Sequence, residues 1–511
     1  MTQSSVFALG MASVFVQPVQ QLVVVLDLSS QPCLELRGQV AALTAAFLCG
    51  PITPATTCAF EIDLRQLLDE CGRRIVQSVY NQIEPEAPQD APKHTQRDRL
   101  EYARKNQKSR NRGGIATLFG TIELQRCLYE PLQEARDDAQ RCFAPLELCL
   151  GIVADNATPA LAERVGSLAA QHTQQGLLET LRRDHHVNWS VQVLRQVTAA
   201  VSAGIAPHLR AVQQQAVLGW LAQAYQSRGR RRVVLAVGRD GIMLPMRNQE
   251  HYKEGGVATI SVHDRRGRRL GTVYLGEMPE AKQVTLTAEL TAFVQAVLAR
   301  WEGPLPRLLY VTDAGYHQTT FFEEVLSPMD NPRRAGQRLE WRWIVDYYHA
   351  ASYVSRLADV LFRAAKTRQA WARRMRRLLR DKDRGVIRVL HSAAQYYGKK
   401  TWREDQKEEY SEAYNYLLTH SKEMRYSEYK RLGLPIGSGV TEAGCKVVFT
   451  QRFKQSGMTW DRAGGEVILR LRLAELSGVW EQVYREYLNH RPLVPLAAPI
   501  ANSQPTEKEA A

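Results

Sequence analysis

Cysteine is scarce and scattered. The eight in 511 residues, Cys33, Cys49, Cys58, Cys71, Cys127, Cys142, Cys149 and Cys445, include no close pair. That excludes a disulfide scaffold and a zinc ribbon or finger, and it fits a reducing compartment. Long apolar runs are missing too: stretches such as residues 23–26 and 40–48 are short and interrupted, well below the roughly 18 residues of a membrane span. The first residues lack the basic start of a signal peptide. Acid falls short of base, with 53 Asp+Glu against 67 Lys+Arg and a formal charge of +14. The expectation is a soluble intracellular chain with anionic ligands and no membrane partner.

What is present points to folded domains. A composition 44% hydrophobic and 23% charged can bury cores, which excludes wholesale disorder and low-complexity classes. The length implies roughly two to four domains. The basic residues cluster. Lys93 to Arg112 holds eight Lys/Arg against two acids; Arg228, Arg230, Arg231 and Arg232 sit together; and Arg363 to Arg388 holds eleven Lys/Arg against two acids. Within the last, Arg373, Arg374, Arg376, Arg377 and Arg380 cover most of a helix circumference at 3.6 residues per turn. A solvated helix on a basic protein would explain one such cluster; three favour phosphate binding.

Punctuation along the chain divides it. Residues 1–84 read as an α/β region ending in an amphipathic helix, with Leu64, Leu67, Leu68, Cys71, Ile75 and Val79 at helical spacing. A Pro-rich polar stretch from Glu84 to Pro92 opens a basic linker over 85–116. Residues 117–230 hold a small β element around Ile122 and Leu124, then helices in which Leu177, Leu178 and Leu181 precede a polar break and Val191, Leu194, Val197 and Val201. With Ser190 as cap, that pair is either a helix-turn-helix reader of DNA or a structural helix pair. From Arg231 the pattern is three successive strands (233–237, 257–262 and 269–274), a helix (287–300), a strand (308–312), a strand (340–345) and a helix (349–362). This is the order of a ribonuclease-H-like mixed sheet. Residues 231–362 form its first part, 363–430 a basic all-α insertion, and 431–490 its closing helices. The tail 491–511, with Pro492, Pro495, Pro499 and Pro505, is expected to be disordered. The fold class expected is mixed α/β, a ribonuclease-H-like domain with an all-α insertion behind an α-rich N-terminal DNA-binding region.

Ligands of α/β sheets gather at the carboxyl ends of strands, so acids there are candidates. Asp240 comes shortly after the first strand, Asp313 directly after the fourth, and Asp346 ends the fifth. Each alone could be a turn former or helix cap. Glu442 lies in Gly437-Ser438-Gly439-Val440-Thr441-Glu442-Ala443-Gly444-Cys445-Lys446, where two glycines allow a sharp turn into a helix. Asp240, Asp313 and Glu442 are hard oxygen donors of like charge that repel one another unless a cation sits between them. Two Mg²⁺ or Mn²⁺ ions suit that set and the in-line displacement of a phosphoryl group.

The residues Val311-Thr312-Asp313-Ala314-Gly315, Ile344-Val345-Asp346-Tyr347-Tyr348-His349-Ala350, and Gly433 through Lys446 with Gln451-Arg452-Phe453-Lys454-Gln455-Ser456-Gly457-Met458-Thr459-Trp460 carry a resemblance. The chain resembles DDE transposases of bacterial insertion sequences, in particular the ISKra family, which is distantly similar to Mutator-type transposases. The resemblance spans about Arg231 to Tyr487. It implies Asp240, Asp313 and Glu442 as metal-binding catalytic carboxylates for two ions. It further implies cleavage of double-stranded DNA at element ends, attack of the freed 3′-hydroxyl on target DNA, at least a homodimer on DNA, and a cytoplasmic, nucleoid-associated place in a bacterium. Asp346 and His349 match an Asp-x-x-His signature, His349 contacting a phosphate or base or bonding within the core. The sequence departs from the family in that Cys127, Cys142 and Cys149 form no zinc knuckle, and in Ala314-Gly315-Tyr316-His317 after Asp313.

Lys446, one turn past Glu442, either grips the scissile phosphate or makes an i, i+4 ion pair. Arg452 and Lys454 join Arg228, Arg230, Arg231 and the Arg373–Arg380 set as expected DNA contacts. Trp460 packs in the core or stacks on a base. A structure-selective nuclease that cuts without joining, and a catalytically silent DNA-binding regulator, are the two alternatives.

Overall fold

The computed structural model describes residues 31–97, 100–111, 113–132, 142–247, 252–398 and 402–491, and the chain divides into two compact units, Met1–Tyr80 and Asn81–Ala511. The expected features of residues 1–30 and of the tail beyond Arg491 lie outside the described residues.

The first unit is helical where it is described. Helix α1 spans Gln31–Cys49 and α2 spans Pro54–Asn81. Thr53 starts α2: its hydroxyl accepts from the Thr56 amide at 3.2 Å, with Pro54 at the first helical position where a missing N–H costs nothing. Phe47 stacks on Phe60 at 4.6 Å. The expected amphipathic helix is therefore present, whereas no strand occurs among the described residues of 1–84.

The second unit opens with a small β module: β1 (His94–Arg97), β2 (Leu100–Arg104), β3 (Ser109–Arg110), β4 (Ile115–Thr117), β5 (Gly120–Ile122), β6 (Gln125–Arg126) and β7 (Tyr129–Pro131). The stretch read as a basic linker is thus folded. Its exposed cations mask an alternating pattern whose inward members, Tyr102 with Cys127, Tyr129 and Phe143, make a core of their own. Glu84 anchors the start, its carboxylate accepting from the Cys127 amide at 2.7 Å.

Helices α3 (Pro145–Cys149), α4 (Pro159–Ala169), α5 (Gln174–His185) and α6 (Val191–Gln226) follow. Ser190 caps α6 as expected, accepting from the Val193 amide at 3.3 Å. Yet α6 runs for 36 residues and buries Leu194, Val197, Val201, Ile205 and Leu209. That apolar face is taken up by the core.

The centre is a five-stranded sheet in the order β10-β9-β8-β11-β12, made of β8 (Val234–Leu244), β9 (Lys253–His263), β10 (Arg269–Glu277), β11 (Arg307–Thr312) and β12 (Trp341–Val345). The first three pair antiparallel; β11 lies parallel to β8 and to β12. The first six residues of β8 are all buried, the mark of a strand covered on both faces. Helix α7 (Val284–Arg300) connects β10 to β11, α8 (Tyr316–Phe321) follows β11, and α9 (Tyr347–Leu361) follows β12.

The insertion is all-helical as expected: α10 (Ala365–Asp381), α11 (Gly385–Tyr397), α12 (Glu404–Thr419) and α13 (Tyr426–Arg431). Trp371, Ala372, Met375 and Leu379 form the buried stripe of α10. Arg373, Arg374, Arg377 and Arg380 are exposed and Arg376 half-buried, so the arginines fill the outward arc and not the whole circumference. The chain closes with α14 (Gly439–Cys445), a π-helical turn at Lys446–Thr450, α15 (Gln451–Phe453), α16 (Arg462–Leu476) and α17 (Trp480–Asn489). No helix among the described residues is long and apolar enough to cross a membrane.

Candidate active site

Strand register brings the first two acids to one level. In the parallel β8–β11 pair Arg307 faces Val234 and Tyr310 faces Val237. Asp240 and Asp313 each lie three residues beyond the last of these partners, and the Asp313 charge acts on Asp240. Asp240 sits inside β8, which continues to Leu244. Glycines at 238 and 241 and the charged Arg239 disguised that continuation. Arg239 is 2% exposed, its guanidinium donating to the Gln283 side chain at 3.0 Å and 3.2 Å.

Helix α14 carries the third acid onto this pair. A Cβ on Gly238 would fall 1.9 Å from the Thr441 hydroxyl oxygen, so glycine is what lets α14 lie directly on β8. Thr441 is fixed by a 2.8 Å hydroxyl bond to Thr259 of β9. One turn on, the Cys445 thiol donates to Asp240 Oδ2 at 3.3 Å. Glu442 lies between these two contacts on the same short helix, and its side chain is exposed.

The remaining polar contacts hold the acids in place. Asp240 Oδ1 accepts from the Gly241 amide at 2.8 Å and Asp313 Oδ1 from the Gly315 amide at 3.1 Å. The Tyr416 hydroxyl of the helical insertion donates to the Asp313 carbonyl at 2.7 Å, tying α12 to the site. Burial, then the Asp313 carboxylate, and further down the Glu442 carboxylate push Asp240 up to about 6. Burial and the Asp240 charge raise the Cys445 thiol. Among the described residues no three such side chains are drawn up as a closed ligand set, and carboxylates of like charge have reason to stand apart.

Asp346 does something different from the three acids. It is 2% exposed and caps α9, accepting from the Tyr348 amide at 2.6 Å. Its other oxygen accepts from the Ser438 amide at 2.8 Å and from the Ser438 hydroxyl. Ser438 immediately precedes α14, so Asp346 couples the end of β12 to the start of the helix that bears Glu442. His349 is half-buried between Tyr353 and Tyr416, at ring distances of 5.4 Å and 5.6 Å, one ring removed from Asp313.

Two residues near the acids were not singled out by sequence reasoning. A Cβ on Gly241 would meet the Glu254 carboxylate at 1.9 Å, which puts Glu254 of β9 next to Asp240. His317, part of the departure after Asp313, stands 3.6 Å from Glu254. Only the antiparallel register of β8 and β9 reveals this neighbourhood.

The expected phosphate contacts outside α10 divide into three groups. Lys446 and Lys454 are exposed, Lys454 lying 5.8 Å from the Tyr252 ring. Arg452 is a correction: it is 2% exposed, donates to the Ala169 carbonyl at 3.3 Å and covers the Trp460 ring at 5.3 Å. Burial, and then neighbouring Arg472, hold its guanidinium down at about 10. Trp460, with its indole N–H donating to the Phe453 carbonyl at 3.0 Å, packs beside it. Arg228, Arg230 and Arg231 are exposed but precede β8, at the end of the sheet away from Asp240.

No family model matches the chain. Over 379 residues it is 22% identical to the UPF0236 protein in vanSb 3'region of Streptococcus gallolyticus, an alignment that covers 73% of this chain and 74% of that protein.

Proposed function

We propose that the chain is a DDE-type transposase that cleaves double-stranded DNA at insertion-sequence ends and joins the freed 3′-hydroxyl to target DNA. One observation carries this reading: the charges of Asp313 and Glu442 both act on the half-buried Asp240 carboxyl, and α14, which bears Glu442, is bonded to Asp240 through the Cys445 thiol. A mixed five-stranded sheet, with three strands antiparallel and then two parallel, supports a ribonuclease-H-like reading. The resemblance of the chain's motifs to the ISKra family supplies the reaction class.

Asp240, Asp313 and Glu442 would hold the cations, and the raised Asp240 carboxyl is what a set of hard donors lacking a counter-charge should display. A pair of Mg²⁺ or Mn²⁺ ions bound there would lower the pKa of the attacking hydroxyl and offset charge on the leaving oxygen. The chain's own residues do the rest. Asp346 keeps Glu442 in register with the two aspartates through Ser438, as outer-shell partners orient ligands. Lys446, Lys454 and the outward arginines of α10 supply cationic contacts for phosphates, and at least two copies act together on a pair of ends.

The test is incubation with the ends of the protein's own element and Mg²⁺, comparing wild type with Asp313→Asn. Joined products from wild type alone are expected. Cutting without joining would replace the proposal with the nuclease reading. DNA binding with neither product would replace it with the silent regulator.

A further inference from the structure

The acids occupy one end of the sheet; the other end is arginine. Before β8 stand Arg230, Arg231 and Arg232, and the β9–β10 turn adds Arg265 and Arg266, all exposed. Backbone contacts bind these segments into one edge: the Arg231 amide donates to the Arg265 carbonyl at 3.1 Å, and the Arg266 guanidinium to the Arg228 carbonyl at 3.0 Å. Arg307 begins β11 alongside, its amide donating to the Val233 carbonyl at 2.8 Å. Besides Arg266, two of these side chains have structural duties. The Arg231 side chain lies across Gly267 and Gly433, and Arg307 donates to the Leu432 carbonyl at 3.4 Å.

The carboxylates near this edge are few: Glu340 precedes Trp341, the register partner of Leu308, and Glu428 is taken by Arg342 at 3.2 Å. The acid of the turn, Asp264, has a fully covered side chain and is engaged by Arg268 at 3.0 Å and by the amides of Arg266 and Arg268 at 2.8 Å each. Burial, then neighbouring Arg232 and Arg342, hold the Arg307 guanidinium below its usual range, the sign of cations crowding cations. Self-repulsion of this kind destabilises the isolated chain and is relieved by a polyanion. The six residues of β11 separate this edge from Asp313 by roughly 20 Å, and the two ends of the sheet face opposite ways. A straight duplex lying across Asp240 and Asp313 does not reach Arg230 or Arg265.

We infer that the arginine edge at the amino ends of β8 and β11 is a second duplex-DNA surface, so that one chain holds two duplexes at opposite ends of its sheet. The inference deepens the transposase reading and rests on it in one respect, that the carboxylate end takes DNA. A chain with two such surfaces positions a second duplex without threading it through the carboxylate end.

The experiment is a bridging assay with the full chain: an immobilised duplex of about 20 base pairs, a second labelled duplex in solution, and capture of the second read as a function of salt. Wild type is expected to bridge. The triple variant Arg230→Ser, Arg232→Ser, Arg265→Ser is expected to bind the immobilised duplex, to lose capture of the second by tenfold or more, and to show a salt slope lower by about 1 for each arginine removed. The charge-keeping triple Lys variant is expected to bridge, which guards against a folding defect in the Ser variant. Bridging retained by the Ser variant would overturn the inference, since it would mean that two copies bridge through their carboxylate ends. Capture of single-stranded RNA or an acidic peptide in preference to duplex would overturn it as well. A wild type that bridges yet never cuts would discard the transposase reading and leave the second surface standing.

Discussion

Asp240→Asn should make the metal-free protein more stable at pH 8 and leave it unchanged at pH 4. Asp240 titrates at about 6 in the fold against an ordinary 3.8, so the folded chain favours the protonated acid. The stabilisation associated with that proton is complete below the unfolded pKa and is lost as pH rises through about 6. A shift of roughly two units corresponds to about 3 kcal/mol, an upper figure because the denatured chain keeps some structure. For a unit of this size that is roughly 3 °C in melting temperature. The assay is thermal unfolding of wild type and variant in chelator at pH 4 and pH 8, repeated with Mg²⁺. With Mg²⁺ the order should reverse at pH 8, because only wild type gains ligand stabilisation. A variant no more stable than wild type at pH 8, or equally stabilised at both pH values, would refute the reasoning that burial and repulsion from Asp313 and Glu442 set this group.

Further outcomes follow from the same contacts. Glu442→Gln and Asp313→Asn should each abolish strand cleavage in Mg²⁺ while leaving duplex affinity within about twofold, checked by gel shift beside a cleavage assay; affinity falling in step with cleavage would contradict a purely catalytic role. Asp346→Ala removes an α9 cap worth about 1 kcal/mol and frees Ser438, so cleavage should drop roughly 10- to 100-fold with a smaller loss in melting temperature; an unchanged rate would sink its positioning role. Gly238→Ala drives a methyl into the Thr441 hydroxyl and should destabilise by about 1 to 3 kcal/mol; adding Thr441→Ala, which removes the obstructing atom, should recover part of that loss. Arg452→Ala should lower stability and leave the salt slope of DNA binding unchanged, because the side chain is buried; a slope smaller by about 1 would return it to the surface contacts.

How far the sequence could be read depended on what surrounded each residue. Strands such as β11, apolar from Leu308 to Val311 and followed by Thr312-Asp313, declare both their position and their terminal acid. The helical insertion was equally plain, since nothing between Arg363 and Lys430 alternates. β8 was cut short in the reading because Gly238, Arg239, Asp240 and Gly241 look like a turn; they remain in the strand because Arg239 finds a buried amide partner in Gln283 and the glycines admit Thr441 and Glu254. The β module was hidden by its cations, whose pattern suggests a linker until Tyr102 and Phe143 meet at 4.8 Å. Arg452 illustrates the opposite limit: charge in a motif predicts exposure, yet here Ala169, Trp460 and Met458 enclose it. Glu254, His317 and the bonds from Ser438 to Asp346 depend on contacts across the chain that no local pattern encodes.

The central claim is that Asp240, Asp313 and Glu442 act as one divalent-cation site. Mn²⁺ titration at pH 8, followed by electron paramagnetic resonance on wild type and on Asp240→Asn, Asp313→Asn and Glu442→Gln, tests it most directly. The account predicts saturable binding of up to two ions by wild type and at least a tenfold weaker binding constant for each single substitution. Mn²⁺ affinity unaltered by all three substitutions would contradict it.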